Sequence, residues 1–195
     1  MRIGLYGGTF DPPHNAHLKL ADWVQKELQL AYIYFIPTAI HALKNNSDLS
    51  PAFIRLKLVE AAIEGYVGFK VSRIEIDRKD ISYTIHTLQK FKKYEKLPES
   101  EIYYIIGIDN LADFHMWKEP DKIMDLTRIV VIRRSGTDDQ KINSKYIQKV
   151  TFLESPIIDI SATEIRNKIN LGIDVSDLLP PSVLKVINDY GLYRD

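Results

Sequence analysis

The sequence predicts an α/β fold, a doubly wound parallel sheet with helices on both faces in a single domain over residues 1–195, and three observations carry it. Strand-like and helix-like patterns alternate along the chain, as a parallel sheet covered by helices requires. Several short runs, such as Ile3-Gly4-Leu5-Tyr6, Tyr32-Ile33-Tyr34-Phe35-Ile36 and Ile102-Tyr103-Tyr104-Ile105-Ile106, are apolar enough for buried strands. The first of them passes through a glycine-rich turn directly into an amphipathic helix.

Each element has a local cause. Leu18, Leu20, Ala21, Val24 and Leu28 recur at helical spacing and define the first helix. Pro37 stops the second strand. Thr38 to Ser50 is polar, irregular and long for a connection, a kind of loop that often serves substrates. Ser50-Pro51 reads as an N-cap followed by proline at the first helical position, opening a helix through about Glu64. Phe69 to Ser72 forms the next strand, and Ile74 and Ile76 continue its alternation. Ser82 opens a helix to Tyr94 whose basic end, Lys90, Lys92, Lys93 and Lys96, complements the helix dipole as a solvated terminus. After the strand ending at Ile106, helices from Asn110 and from Pro120 to Leu126 precede the strand Ile129 to Ile132. Arg133-Arg134-Ser135-Gly136 and Thr137 to Lys141 make a loop, and Val150 to Leu153 a short strand. Ser161 starts a further helix, and Pro180-Pro181 precedes the last, which stops near Gly191.

Composition narrows the function. With 195 residues, 45% of them hydrophobic and 27% charged, the chain suits one domain with a substantial core. Lys plus Arg and Asp plus Glu both number 26, so no global basic field argues for a nucleic-acid partner, and any anion site must be local. The lack of cysteine excludes a disulfide framework and thiolate metal sites. No secretory leader pattern and no apolar run of membrane-spanning length occurs, which makes a soluble cytoplasmic protein without a membrane partner the expectation. A homo-oligomer is left open.

The run Gly7-Gly8-Thr9-Phe10-Asp11-Pro12-Pro13-His14-Asn15-Ala16-His17 joins the first strand to its helix. Glycines let the backbone turn sharply and approach a ligand, while the N–H groups and dipole of a helix start attract an anion. Histidines at i and i+3 on a first turn point to one side and can donate to phosphate oxygens. A second segment, Ile160-Ser161-Ala162-Thr163-Glu164-Ile165-Arg166, has the same character. Ser161 and Glu164 have capping-box spacing, Thr163 adds a first-turn hydroxyl, and Arg166 can grip phosphate oxygens with parallel donors. Helix capping alone would also explain the serine and the glutamate.

Together these residues carry a resemblance. The pattern Gly-x-Phe-Asp-Pro-x-His-x-x-His is similar to the nucleotidyltransferase superfamily whose motif is written [HT]-x-G-H, and the fuller run resembles bacterial nicotinate mononucleotide adenylyltransferases. Ala16 stands where that motif usually has glycine, a small residue that keeps room for a triphosphate. The Ser161 to Arg166 segment resembles the Ile-Ser-x-Thr-x-x-Arg motif of the same enzymes.

The resemblance implies a Rossmann-like fold, ATP and nicotinate mononucleotide as partners, and transfer of an adenylyl group to give deamido-NAD and pyrophosphate. His14, His17 and Arg166 are the implied catalytic residues, with His17 stabilising the transferring phosphate and His14 assisting. Gly7, Gly8, Thr9, Phe10, Gly107, Asp109, Arg133, Ser161 and Thr163 complete the implied ATP site, Asp109 by holding ribose hydroxyls and Thr9 and Phe10 by backbone donors. Thr9, Phe10, Lys44, Thr84 and Trp117 are the implied mononucleotide site, with Trp117 stacking on the pyridine ring. Ordinary structure competes at several of these: Asp109 and Ser82 could be helix caps, and Lys44 a solvated lysine. His86 departs from the family, taking the place of an aspartate. Mg²⁺ is expected with ATP, held mostly by phosphates and water, since no all-protein carboxylate cage is offered. Rival readings are a transferase acting on nicotinamide mononucleotide, phosphopantetheine or a CTP substrate, and a nucleotide-binding regulator that has lost catalysis. A dehydrogenase is discounted because no Gly-x-Gly-x-x-Gly occurs.

Overall fold

The computed structural model describes residues 1–42, 46–94, 101–134, 145–155 and 160–194. Lys44, Lys96 and the expected loop from Ser135 to Lys141 lie outside the described residues. The first half runs β1 Arg2–Gly8, α1 Asn15–Glu27, β2 Tyr32–Pro37, β3 Ile40–His41, α2 Ala52–Ile63, β4 Phe69–Val71, β5 Ile81–Ser82 and α3 Thr84–Tyr94. The second half runs β6 Glu101–Gly107, α4 Ile108–Ala112, α5 Pro120–Leu126, β7 Arg128–Arg134, β8 Thr151–Ser155, α6 Ala162–Asn170 and α7 Pro181–Tyr190, with a 3-10 turn at Phe114–Met116.

Six strands form one parallel sheet in the order β4-β2-β1-β6-β7-β8. The order reverses between β1 and β6, and a crevice at the carboxyl ends of the strands opens at such a reversal. The apolar runs are nearly continuous because each strand feeds two cores. Ile33, Phe35, Tyr103, Ile105, Val130 and Ile132 face one side, where α1, α2, α6 and α7 cover them with Leu18, Val24, Leu58, Val59, Ile165 and Val183. Ile3, Leu5, Tyr34, Ile36, Tyr104, Ile106 and Val131 face the other, under Ile85, Leu88 and Phe91 of α3, Leu111 of α4 and Ile123 of α5. Strand periodicity of two does this sorting, and it later decides which side of the site each residue serves. No helix among the described residues is long and apolar enough to cross a membrane.

Four local expectations are corrected. Ser50 is not the cap of α2; Pro51 holds that place, because the Ser50 N–H is bound to the Asp11 carboxylate and its carbonyl to Arg55. Ile74 and Ile76 do not extend β4. Residues 73–79 form turns whose N–H groups return to carbonyls three or four residues earlier, as Asp77 does to Arg73 at 2.9 Å. Ser82 belongs to β5, paired in parallel with β3, and α3 starts two residues later. The hydroxyl of Ser82 accepts from the N–H of Ala39, the residue just before β3, rather than from the first turn of α3. Finally, the helix expected from Asn110 begins at Ile108 with Gly107 as its N-cap.

Candidate active site

His14 is the N-cap of α1 and His17 its third residue. The Nδ1 of His17 accepts from the His14 backbone N–H at 3.2 Å, a helix-capping contact of the kind usually made by a glutamate. That bond fixes the neutral tautomer: Nδ1 is an acceptor, so the proton sits on Nε2. The two imidazoles stack with centroids 3.7 Å apart. Burial, and then the nearby charge of His14, hold the pKa of His17 well below its ordinary value. His17 is therefore a neutral donor near pH 7. Its ring rests against Phe10 and Tyr6, and Phe10 is buried with a left-handed backbone (φ 51°) that turns the chain out of β1.

A cleft of about 200 Å³ opens above this pair, lined by Tyr6, His14, Ala16, His17, the β6 end through Gly107 and Asp109, Ile132, Ser155 and Ile160. It lies at the carboxyl edge of the sheet, beside the β1–β6 reversal. With Gly107 as N-cap, Asp109 in the first turn of α4 has no capping duty and lines the cleft. Arg133 is not among the lining residues. It pairs with Glu154 at 3.0 Å and lies over the Phe152 ring, one strand position beyond Ile132 and thus on the other face.

From α6, Arg166 reaches across to the motif: Nη1 donates to the Asp11 carbonyl at 2.8 Å and Nη2 to the Thr163 hydroxyl at 3.2 Å. Ser161 caps α6, accepting from the Glu164 N–H. The expected return contact of Glu164 is replaced by an ion pair with Lys168 at 2.7 Å, so only half of a capping box forms.

On the opposite face of the sheet, Tyr104 joins three sequence-predicted residues. Its hydroxyl lies 3.4 Å from the Thr84 Oγ1, its ring meets Trp117 edge-on at 6.2 Å, and a Cβ built on Gly7 would stand 2.6 Å from the same hydroxyl. Trp117 is half-buried and also backed by Phe114 at 5.1 Å. Gly7 is thus required by the tyrosine as well as by any ligand. Gly7→Ala is expected to lower unfolding stability by about 1–3 kcal/mol through overpacking. Adding Tyr104→Phe should recover much of that loss, since the next ring atom is 3.5 Å from the added carbon. Urea melts of the single and double variants check both statements.

Sequence reasoning assigned no role to Tyr104, to Asp11 or to Arg55. Arg55 is 2% exposed and donates to the carbonyls of Ser50 (2.9 Å), Thr9 (2.8 Å) and Ala39 (3.1 Å). One guanidinium therefore ties the phosphate turn to both ends of the loop that follows β2. Burial lowers its pKa, and Asp11, Tyr193 and Glu75 counter that. A readable signal existed: Arg55 sits in the apolar stripe of α2, three and four residues before Leu58 and Val59. Glu75 is buried as well, accepting from the buried Thr87 hydroxyl of α3 at 2.7 Å, and burial raises its pKa.

A parallel sheet that reverses beside a histidine-bearing helix start, with an arginine delivered from a second helix start, defines an α/β protein built to handle nucleotide phosphates. The chain belongs to the cytidylyltransferase-like family, whose profile matches residues 5–168. A Clostridium tetani protein named "Probable nicotinate-nucleotide adenylyltransferase" is 38% identical over 97% of this chain and 98% of its own length. A Salinibacter ruber protein of the same name is 32% identical over 100% and 98%. Among solved structures, Plasmodium falciparum nicotinic acid mononucleotide adenylyltransferase complexed with NaAD superposes with a TM-score of 0.80 at 22% identity, covering 98% of this chain and 97% of that one. At that identity the likeness speaks for the fold.

Proposed function

We propose that the chain transfers the adenylyl group of ATP to nicotinate mononucleotide, giving nicotinate adenine dinucleotide and pyrophosphate, a cytoplasmic step of NAD biosynthesis. The observation that carries this reading is the placement of the phosphate motif between two differently furnished sides of the sheet. His14, His17 and Asp109 line a cleft on one side, and the Tyr104 and Trp117 rings with the Thr84 hydroxyl gather on the other. Full-length similarity to proteins named for this activity supports it.

In the reaction an oxygen of the mononucleotide 5′-phosphate forms a bond to the α-phosphorus of ATP as the bond to pyrophosphate breaks. The attacking phosphate is already ionised, so no general base is needed. What the protein must supply is in-line positioning and neutralisation of charge. His17 donates through Nε2 to the transferring phosphate, and His14 assists. Arg166 and Thr163 hold the β and γ phosphates, with Ser161 at the same helix start; Gly107 and Asp109 receive the ribose. Gly7 and Gly8 bring the backbone close to ATP, and Thr9 and Phe10 supply backbone donors to both substrates. Thr84 and Trp117 hold the nicotinate ring. Mg²⁺ is part of this proposal as an escort of the triphosphate, since it takes phosphate and water oxygens readily. It would supply charge neutralisation on the departing pyrophosphate.

The test is pyrophosphate release from Mg-ATP with nicotinate mononucleotide, nicotinamide mononucleotide or phosphopantetheine at equal concentration. Turnover is expected to be clearly fastest with the first. No turnover with any of the three sinks the enzyme assignment, and preference for either of the others sinks only the choice of acceptor.

A further inference from the structure

We propose that Tyr193, near the end of the chain, is a positioning residue for Arg166 and acts through Asp11; this rests on the phosphate-binding role given to Arg166 above. The Asp11 side chain is 2% exposed, and both of its carboxylate oxygens are held. The Tyr193 hydroxyl donates to one at 2.6 Å and the Ser50 N–H to the other at 2.9 Å. A carboxylate gripped at both oxygens is fixed in place, and through its Cα–Cβ bond it restrains the backbone of Asp11. That peptide's carbonyl is the group that accepts from Arg166 Nη1 at 2.8 Å. The guanidinium is thereby aimed by a contact 155 residues away in sequence, whose other half is set by the C-terminal segment.

The segment itself is built for this. Helix α7 stops at Gly191, and Tyr193 is held in the left-handed region (φ 63°), an unfavourable conformation for a residue with a Cβ. Such conformations persist where surrounding contacts over-determine them. Leu192 and Tyr193 pack against the core, which phenylalanine would preserve, so the hydroxyl can be removed with little loss of packing. Burial and the neighbouring Asp11 raise the pKa of Tyr193, which keeps the hydroxyl a donor.

The experiment measures Mg-ATP affinity by calorimetry for the wild type, Tyr193→Phe, Arg166→Ala and the double variant. Tyr193→Phe is expected to weaken ATP binding about tenfold, the scale of one hydrogen bond to a charged group. In the Arg166→Ala background the same change should cost no more than about twofold, whereas in an Asp109→Ala background it should keep its full effect. The Arg166 Nε–H resonance should also move in Tyr193→Phe, and deletion of residues 193–195 should give the same pattern. Unchanged ATP affinity in Tyr193→Phe, or an undiminished effect without Arg166, overturns the proposal and leaves the phosphate site standing. Failure of the wild type to bind Mg-ATP overturns both together.

Discussion

Replacing His17 by alanine is expected to lower kcat by about a hundredfold or more, the usual loss when one donor aimed at transition-state charge is removed. The reason lies in how the imidazole is prepared. Its Nδ1 is occupied by the His14 N–H, so the ring cannot rotate or change tautomer without breaking the start of α1. Its burial and the nearby charge of His14 keep it uncharged near neutral pH, which suits the donor role proposed for it. Steady-state kinetics decide the matter: an unchanged kcat with a raised KM would make His17 a ground-state binding residue. The same environment has a stability signature. Because the folded pKa lies below the unfolded value of 6.5, the unfolded chain binds the proton more readily. The stabilisation is complete above that value and is lost as pH falls from it toward the folded pKa. Between about pH 7.5 and 5.5 the wild type should therefore lose more stability in urea melts than His17→Ala.

Replacing Arg55 by leucine is expected to cost about 3–5 kcal/mol of stability, among the largest effects of any single change in this chain. Its three acceptors are backbone carbonyls of Thr9, Ala39 and Ser50, which no compensating substitution can remove. Each buried carbonyl left without a donor costs about 1–3 kcal/mol. Arg55→Lys should recover only part of the loss, since an ammonium cannot span three acceptors as a planar fork does. Denaturant melts check this as a fall in midpoint with an unchanged slope. A change of less than about 1 kcal/mol in Arg55→Leu would show that the loop ends do not depend on the guanidinium. Because Thr9 belongs to the phosphate turn, the folded fraction of Arg55→Leu should also show a raised KM for both substrates.

Much of this was legible in the chain because it is local. The strands announce themselves through runs such as Tyr32 to Ile36, in which successive residues feed opposite cores. Helix boundaries set by backbone chemistry also read correctly: α5 spans Pro120–Leu126, and α7 ends at Gly191 in a left-handed conformation. Local signals failed where a distant partner claimed a residue. Ser50 and Ser82 have the composition of caps, but Asp11 and Arg55 claim the first and Ala39 the second. Ile74 and Ile76 alternate like a strand, yet the segment turns around the buried Glu75.

The fold class, the glycine-rich turn with its paired histidines and the Ser161-capped second helix start were readable from the order and spacing of residues along the chain. Folding alone brings Arg55 to the Thr9 carbonyl and Arg166 to the Asp11 carbonyl, joins Tyr104 to Gly7, Thr84 and Trp117, and pairs Arg133 with Glu154. Those contacts link segments tens of residues apart, and a donor's partner is fixed by where the sheet carries the backbone rather than by any local periodicity.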